Sequence, residues 1–199
     1  VTATLESLEL SNVYTGIFKG FTLELDKWEL SLTEAEQEPE VPSAPPQLPG
    51  IVAVIHDGLN EATRWVKRVH ASRGTLRLPG NNAGPVEVEM LAYEQTVLSL
   101  DALRWQDWLS AKNLTLEPDG EGVLRLAGRV SSPRAYPAAQ QLSVRLEPRS
   151  GQLALDLLIN DTGGASPQTL SASARFPAEG LTPLEARLEA VAFSVPAKF

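Results

Sequence analysis

From residue 112 onward the chain alternates apolar and polar residues with period two, the pattern of strands that bury one face. "LSVRLE" sets Leu142, Val144 and Leu146 against Ser143, Arg145 and Glu147. "QLALDLLI" aligns Leu153, Leu155, Leu157 and Ile159, and "VLRLAGRV" aligns Leu124, Leu126 and Val130 around Gly128. "TLSASARF" aligns Leu170, Ala172, Ala174 and Phe176, and "NLTLE" gives Leu114 and Leu116. Pro118-Asp119-Gly120-Glu121-Gly122 and Pro148-Arg149-Ser150-Gly151 separate successive strands and read as short hairpin loops. The spacing predicts an antiparallel meander over 112–195. The fold class is mainly β: a strongly twisted antiparallel sheet with one amphipathic helix.

The apolar phase slips twice. Phe21, Leu23 and Leu25 give way to Trp28, Leu30 and Leu32, and Leu184, Ala186 and Leu188 give way to Val191, Phe193 and Val195. A slip of one residue turns the buried set to the other face unless a bulge corrects it, so bulges are expected at both places.

Residues 34–50, "EAEQEPEVPSAPPQLPG", are acidic and then proline-rich, a loop or extended linker. Residues 51–69 follow a helical period instead. At 100° per residue Ile51, Ile55, Leu59, Ala62, Trp65, Val66 and Val69 fall on one arc, with Asp57, Asn60, Glu61, Arg64, Lys67 and Arg68 opposite. Such a helix is roughly 28 Å long. Burying its larger apolar side chains yields at most about 20 kcal/mol before entropy is subtracted, so it needs a surface, either the sheet's apolar face or its open edge.

Composition narrows the possibilities. The chain has 199 residues, 43% of them hydrophobic and 21% charged, enough to build a core and too little charge for wholesale disorder. A net charge of −8 repels phosphate backbones, so nucleic acid is not an expected partner. Lys67, Arg68 and Arg73 cluster with His70 and read as a solvated helix end. The chain contains no cysteine, which excludes disulfides, thiolate metal sites and cysteine nucleophiles. No stretch approaches the roughly 18 apolar residues of a membrane span, and no signal peptide opens the chain. It begins and stops in mid-pattern, so we expect a single segment of a longer protein.

Candidate chemistry is sparse. Asp161-Thr162-Gly163 after an apolar run has the form of an aspartic-protease motif. That chemistry needs two aspartates sharing one proton, and one motif is present. Asn160-Asp161-Thr162-Gly163-Gly164 is also turn sequence, and we read it so. His56 and His70 lack a second ligand at metal spacing; His56 sits at the border of the helix's apolar arc, a structural place. Asn113-Leu114-Thr115 and Asn160-Asp161-Thr162 match the glycosylation sequon by short coincidence. Trp28, Trp65, Trp105 and Trp108 suit core packing better than a carbohydrate platform; Trp105 and Trp108 meet only if their segment is helical or bulged. No catalytic, metal or cofactor site is assigned, and we expect no enzyme.

The texture itself then becomes informative. "LSAKNLTLEPDGEGVLRLAGRVSS" followed by strand after strand of L-x-L-x-L resembles the AsmA-like family of bacterial envelope proteins, the AsmA, TamB, YhdP and YdbH type, with YdbH and TamB nearest in texture. "VTATLESLELSN…FKGFTLELDKWELSL", a proline-rich break, a helix and "VHASRGTLRLPGNNAGPVEVEMLAYEQTVLSL" resemble the way that family restarts strands around short helical insertions. The likeness covers most of the chain and rests on rhythm, without a diagnostic motif. It implies a bridge-like lipid transfer protein: a curved β-groove along which phospholipid acyl chains slide between inner and outer membranes. It also implies a periplasmic place, a parent anchored in the inner membrane, and membrane partner proteins. The lining would be Leu114, Leu116, Leu124, Leu126, Leu142, Val144, Leu146, Leu153, Leu155 and Leu157, with the 51–69 helix capping or gating the groove. The same alternation also fits a closed β-sandwich, a binding or adhesion module of the cell envelope. Whether a second sheet seals the apolar face separates the two.

Overall fold

The structure is a computed structural model that describes residues 2–5, 8–11, 21–31, 48–77, 84–120, 122–134, 136–161, 168–179 and 182–191. Twelve strands and one helix follow in chain order: β1 (Thr2–Leu5), β2 (Leu8–Ser11), β3 (Phe21–Ser31), α1 (Leu48–Trp65), β4 (Val66–Arg77), β5 (Val86–Glu94), β6 (Val97–Trp105), β7 (Leu109–Asp119), β8 (Val123–Ser132), β9 (Tyr136–Arg149), β10 (Gln152–Asp161), β11 (Gln168–Phe176) and β12 (Glu185–Val191). They form one sheet in the order β1-β3-β4 and then consecutively to β12, with β2 also pairing β3, and the sheet does not close into a barrel. The antiparallel meander thus starts at Val66, well before residue 112, because the hairpins β4–β5 and β5–β6 continue the same ladder.

One neighbour pair departs from the antiparallel rule. β3 and β4 run parallel. Parallel neighbours require a crossover connection, usually helical, and the connection here carries α1.

The helix differs from its expected span of 51–69. It begins at Leu48, with Pro49 in the first turn, where a missing N–H leaves no bond unmade. It ends at Trp65, because Val66 and Val69 pair with Phe21 and Leu23 in the parallel ladder. Lys67, Arg68, His70 and Arg73 therefore lie on β4 and not at a helix end. Arg68 spends its charge on Glu94 of β5 at 2.5 Å. Of the proline-rich stretch, residues 48–50 are helical and 34–47 lie outside the described residues.

The buried side of α1 is also rotated from the expected arc. Val52 is buried, with Leu48 and Leu59 packed beside it. Ile51, Ile55 and Trp65 are 48%, 40% and 55% exposed. Leu48, Val52, His56 and Leu59 span about 80° of the helical wheel at 100° per residue. The apolar stripe is broader than the strip of helix the sheet touches, and a hydrogen bond selects which half goes in: His56 Nε2–H donates to the Asp119 carbonyl at 3.0 Å.

Five adjacent strands carry an aligned irregularity. The ladders pair Leu25 and Lys27 with Ala71 and Arg73, then Ala71 and Arg73 with Leu91 and Glu89, then those with Leu100 and Ala102, then those with Leu114 and Lys112. They pass over Asp26, Ser72, Met90, Asp101 and Asn113, one residue per strand. Met90 and Asn113 take φ of 50°. The apolar phase shifts at the same line: Val86 and Val88 precede it on β5, Leu91 and Tyr93 follow it. The slip expected within residues 21–32 belongs to this crease. The register breaks outright at Lys112/Thr115. Opposite that bulge stands Gly128, where a Cβ would lie 2.9 Å from the Asn113 carbonyl oxygen, so a side chain there would collide with backbone. Gly74 is required for another reason: the Trp28 indole lies across it, and a Cβ would fall 1.8 Å from a ring carbon. The second expected slip is not seen within β12, which pairs β11 without a register shift from Glu185 to Val191; Phe193 and Val195 lie outside the described residues.

Candidate functional site: an apolar sheet face capped at one end

Cross-strand register places the ten predicted lining residues. Leu116 faces Leu126, which faces Val144, which faces Leu157. Leu124 faces Leu146, which faces Leu155. Directly opposed residues share a face, as do residues two apart on one strand. Leu114, Leu142 and Leu153 therefore join the same side. The rows extend beyond the predicted set in both directions. Leu23, Val69, Tyr93 and Leu98 continue the first row toward β3, and Ala172 and Leu188 continue it to the β12 edge.

Exposure differs along this face. Leu124 and Leu153 are 1% and 3% exposed, buried against Val52. The other eight predicted residues are half-buried. The covering element is α1, which touches β4 and β7 to β10; among the described elements every other substantial contact is between neighbouring strands. From β4 to β10 is six interstrand steps, about 29 Å. An 18-residue helix is about 27 Å long, so α1 lies across the strands and not along them. Its partners Asp119, Leu124, Leu146, Leu153 and Phe176 all sit near the β7–β8 and β9–β10 turns or the end of β11. It therefore caps one end of the apolar face and leaves Leu126, Leu142 and Val144 outside its core cluster.

Two polar contacts tie the cap down. His56 reaches the β7 end as described. Tyr93, 6% exposed, donates its hydroxyl to the Leu59 carbonyl at 2.6 Å. Burial pushes the Tyr93 phenol above its ordinary range, so it stays a donor at physiological pH. Four buried donors have no hydrogen-bond partner among the described residues: Trp28 Nε1, Trp105 Nε1, Arg68 Nε and Gln140 Nε2.

The opposite face is mostly polar. A hollow of about 370 Å³ between β9 and β12 is lined mainly by Ser143, Arg145, Asp156, Ser171, Ser173 and Arg187, with the exposed Leu158 among them. Its arginines are already partnered: Arg145 lies 3.3 Å from Glu147, and Arg187 pairs with Glu189. Beside it Arg149 holds Glu147 at 2.8 Å, and that hydrogen bond lowers the Glu147 pKa below the usual carboxylate range and raises that of Arg149. Charge is balanced within the face, leaving no concentrated site for an anion.

The remaining candidates are placed as follows. Asn160 and Asp161, read as the start of a turn, instead end β10, paired with Thr169 and Gln168 of β11; Thr162, Gly163 and Gly164 lie outside the described residues. His70 lies on β4, paired with Glu24 and Ala92 in the ladders. Trp28 and Trp105 are half-buried, in line with core packing. Trp65 and Trp108 are 55% and 50% exposed, contrary to it. Trp108 closes the turn after Trp105, its N–H donating to the Trp105 carbonyl at 3.1 Å, and the Arg134 guanidinium stacks on its ring at 4.6 Å. Among the described residues no three metal-ligating side chains converge, and no helix is long and apolar enough to cross a membrane. Sequence reasoning missed Tyr93 and Leu59 as a latch. "VEVEMLAYE" held a signal for Tyr93, since its apolar phase shifts between Val88 and Leu91 and places the tyrosine inward.

The chain matches no known family, no curated protein and no solved structure. The class is set by geometry alone: a mainly β protein built, among the described residues, on one sheet not closed into a barrel with a single helix across its apolar face.

Proposed function

We propose that the apolar face is a track for phospholipid acyl chains, and that the chain is a non-catalytic segment of a β-groove conduit of the AsmA-like type, working in the periplasm between inner and outer membranes. The observation that carries this reading is that one unclosed sheet presents continuous cross-strand rows of Leu and Val, covered at one end by α1 and by no second sheet among the described residues. A closed sandwich would bury all ten lining residues, whereas eight are half-buried. Aliphatic side chains offer a non-directional surface, so an acyl chain slides without losing hydrogen bonds. Strands of ten residues, such as β8 and β10, span about 33 Å. That length exceeds an extended acyl chain.

The test is site-specific photo-crosslinking in cells. A photoreactive residue at Val144 or Leu155 should trap phospholipid, and one at Arg145 or Asp156 on the polar face should not. Native mass spectrometry of the purified chain should find co-purifying phospholipid. Equal crosslinking from both faces, or none from either with the protein folded, would overturn the reading.

A further inference from the structure

The two halves of α1 are held in different ways. The first half meets the sheet at β7 to β10: Val52 packs on Leu124 and Leu153, and His56 bonds to the Asp119 carbonyl. The second half is tied to β5 and β4. Tyr93 donates to the Leu59 carbonyl, and Trp65 runs into β4 at Val66 with no residue between. The second half is thus continuous with a strand, whereas the first rests on the buried Val52, the half-buried Leu48 and the His56 hydrogen bond. Gly58 stands where the halves join. A Cβ there would meet nothing within 4 Å, so packing does not call for glycine. A glycine inside a helix weakens it, because more chain entropy is lost on ordering. The adjacent Leu59 carbonyl takes a side-chain donor from outside the helix's own ladder, and helices bend where a side chain enters that ladder. Both features fall on one turn.

We propose that α1 is a hinged gate: residues 48–57 swing at Gly58 while residues 59–65 stay on β4 and β5. The swing lifts Val52 from Leu124 and Leu153 and breaks the His56 bond. Leu124 and Leu153 are the two lining residues that the closed helix buries, so opening adds the capped end of the face to the rest of it. An acyl chain then enters or leaves at that end. This last step rests on the lipid-track reading, and the hinge itself does not. Once detached, the first half is too short to stay helical in water, so opening also frees its amides.

Hydrogen exchange of the full chain without lipid reads the hinge. Amides of residues 52–57 should exchange about tenfold or more faster than those of residues 62–65. Gly58→Ala should slow exchange at 52–57 by about fivefold, the gain in helix propensity from glycine to alanine, and should keep or raise the thermal midpoint. Fraying from the helix start would not respond to residue 58. His56→Ala should speed exchange at 52–57 and leave 62–65 unchanged, and Tyr93→Phe should act first on 62–65. Exchange that is equal in the two halves, or indifferent to Gly58→Ala, would overturn the hinge. Photo-crosslinking reads the gate. A photoreactive residue at Leu146, which packs against the helix-covered cluster, should trap less phospholipid in the Gly58→Ala background, while the yield from Val144 stays the same. Equal yields from Leu146 in the two backgrounds would overturn the gate and leave the hinge. No phospholipid at Val144 in the otherwise unaltered chain would count against the track reading instead, with exchange still deciding the hinge.

Discussion

Leu124 and Val144 lie in adjacent rows of the same sheet face, one beneath α1 and one outside its core cluster, and a carboxylate placed at each should behave very differently. Leu124 is 1% exposed and packs on Val52 and Leu153. Leu124→Glu removes a buried leucine, worth about 2–5 kcal/mol in comparable truncations. It also leaves an unpaired carboxylate under the helix, at several kcal/mol more. Against a typical total stability of about 5–15 kcal/mol, that is enough to unfold the domain or detach α1. Val144 is half-buried and outside the helix-covered cluster. Val144→Glu forfeits roughly half of the 1.5–3 kcal/mol that full burial of a valine contributes, about 1 kcal/mol, and the carboxylate reaches water. Urea titration followed by tryptophan fluorescence separates the two. With m near 2–3 kcal/mol/M, Leu124→Glu should lower the midpoint by more than about 1 M, and Val144→Glu by less than about 0.5 M. The folded Val144→Glu protein should then bind a fluorescent phospholipid more weakly than the wild type. A Val144→Glu variant that unfolds as readily as Leu124→Glu would mean the face is sealed there, and the open-track reasoning would fail.

Further consequences follow from single contacts. Tyr93→Phe removes the hydroxyl held by Leu59 and should cost about 0.5–1.5 kcal/mol, read as a thermal midpoint a few degrees lower; no change would mean the hydroxyl does not tether α1. Gly74→Ala forces the Trp28 indole off its seat and should destabilise by about 1–3 kcal/mol, with a changed tryptophan emission as the local signature. The hydrogen bond from Arg68 lowers the Glu94 pKa below its ordinary value of 4.5. Its stabilising effect is therefore in full above that value and is lost as pH falls through the lower folded-state value; Glu94→Gln should flatten the acid limb of a midpoint-against-pH curve.

The meander after residue 112 was legible because its strands keep one alternation over most of their length, with register shifts at Lys112/Thr115 and Val130/Ser132. Leu142, Val144 and Leu146 alternate cleanly, and the turns at Gly120 and at Ser150-Gly151 mark strand ends, with Pro118, Asp119, Pro148 and Arg149, read as loop, still paired in the ladders. The β4 strand was hidden for a physical reason: Val66 and Val69 stand three apart, a helical spacing, and they come opposite Phe21 and Leu23 only because the register shifts by one residue at Phe21/Thr22. The same ambiguity misaligned α1. Ile51, Ile55 and Val52 all belong to a broad apolar stripe, and the choice among them rests on His56 meeting a carbonyl 63 residues away. Local pattern carries no knowledge of such a contact. The lining set lay on one face because alternation and register are the same constraint seen along and across the strands. Its uneven burial was not legible, since that depends on where α1 comes to rest.

The crease gives the most direct check that the sheet is built as described, because it reverses an ordinary preference. In a regular strand an exposed position favours valine over glycine by up to about 1 kcal/mol. Met90 is 42% exposed, so its side chain contributes little packing, but its backbone sits at φ 50°. A residue with a Cβ costs about 1–2 kcal/mol in that region, and a β-branched one is the least tolerated. Met90→Gly escapes that steric cost while giving up roughly 0.5–1 kcal/mol in chain entropy, so it should be neutral to mildly stabilising. Met90→Val should destabilise by about 1 kcal/mol or more, on the same steric scale. The two variants differ at one exposed side chain, and urea midpoints measured in parallel give the sign. Valine more stable than glycine would mean that residue 90 is in ordinary extended conformation. The apolar phase shift between Val88 and Leu91 would then turn one pair away from the other, and the continuous lipid-facing surface across β5 would be lost.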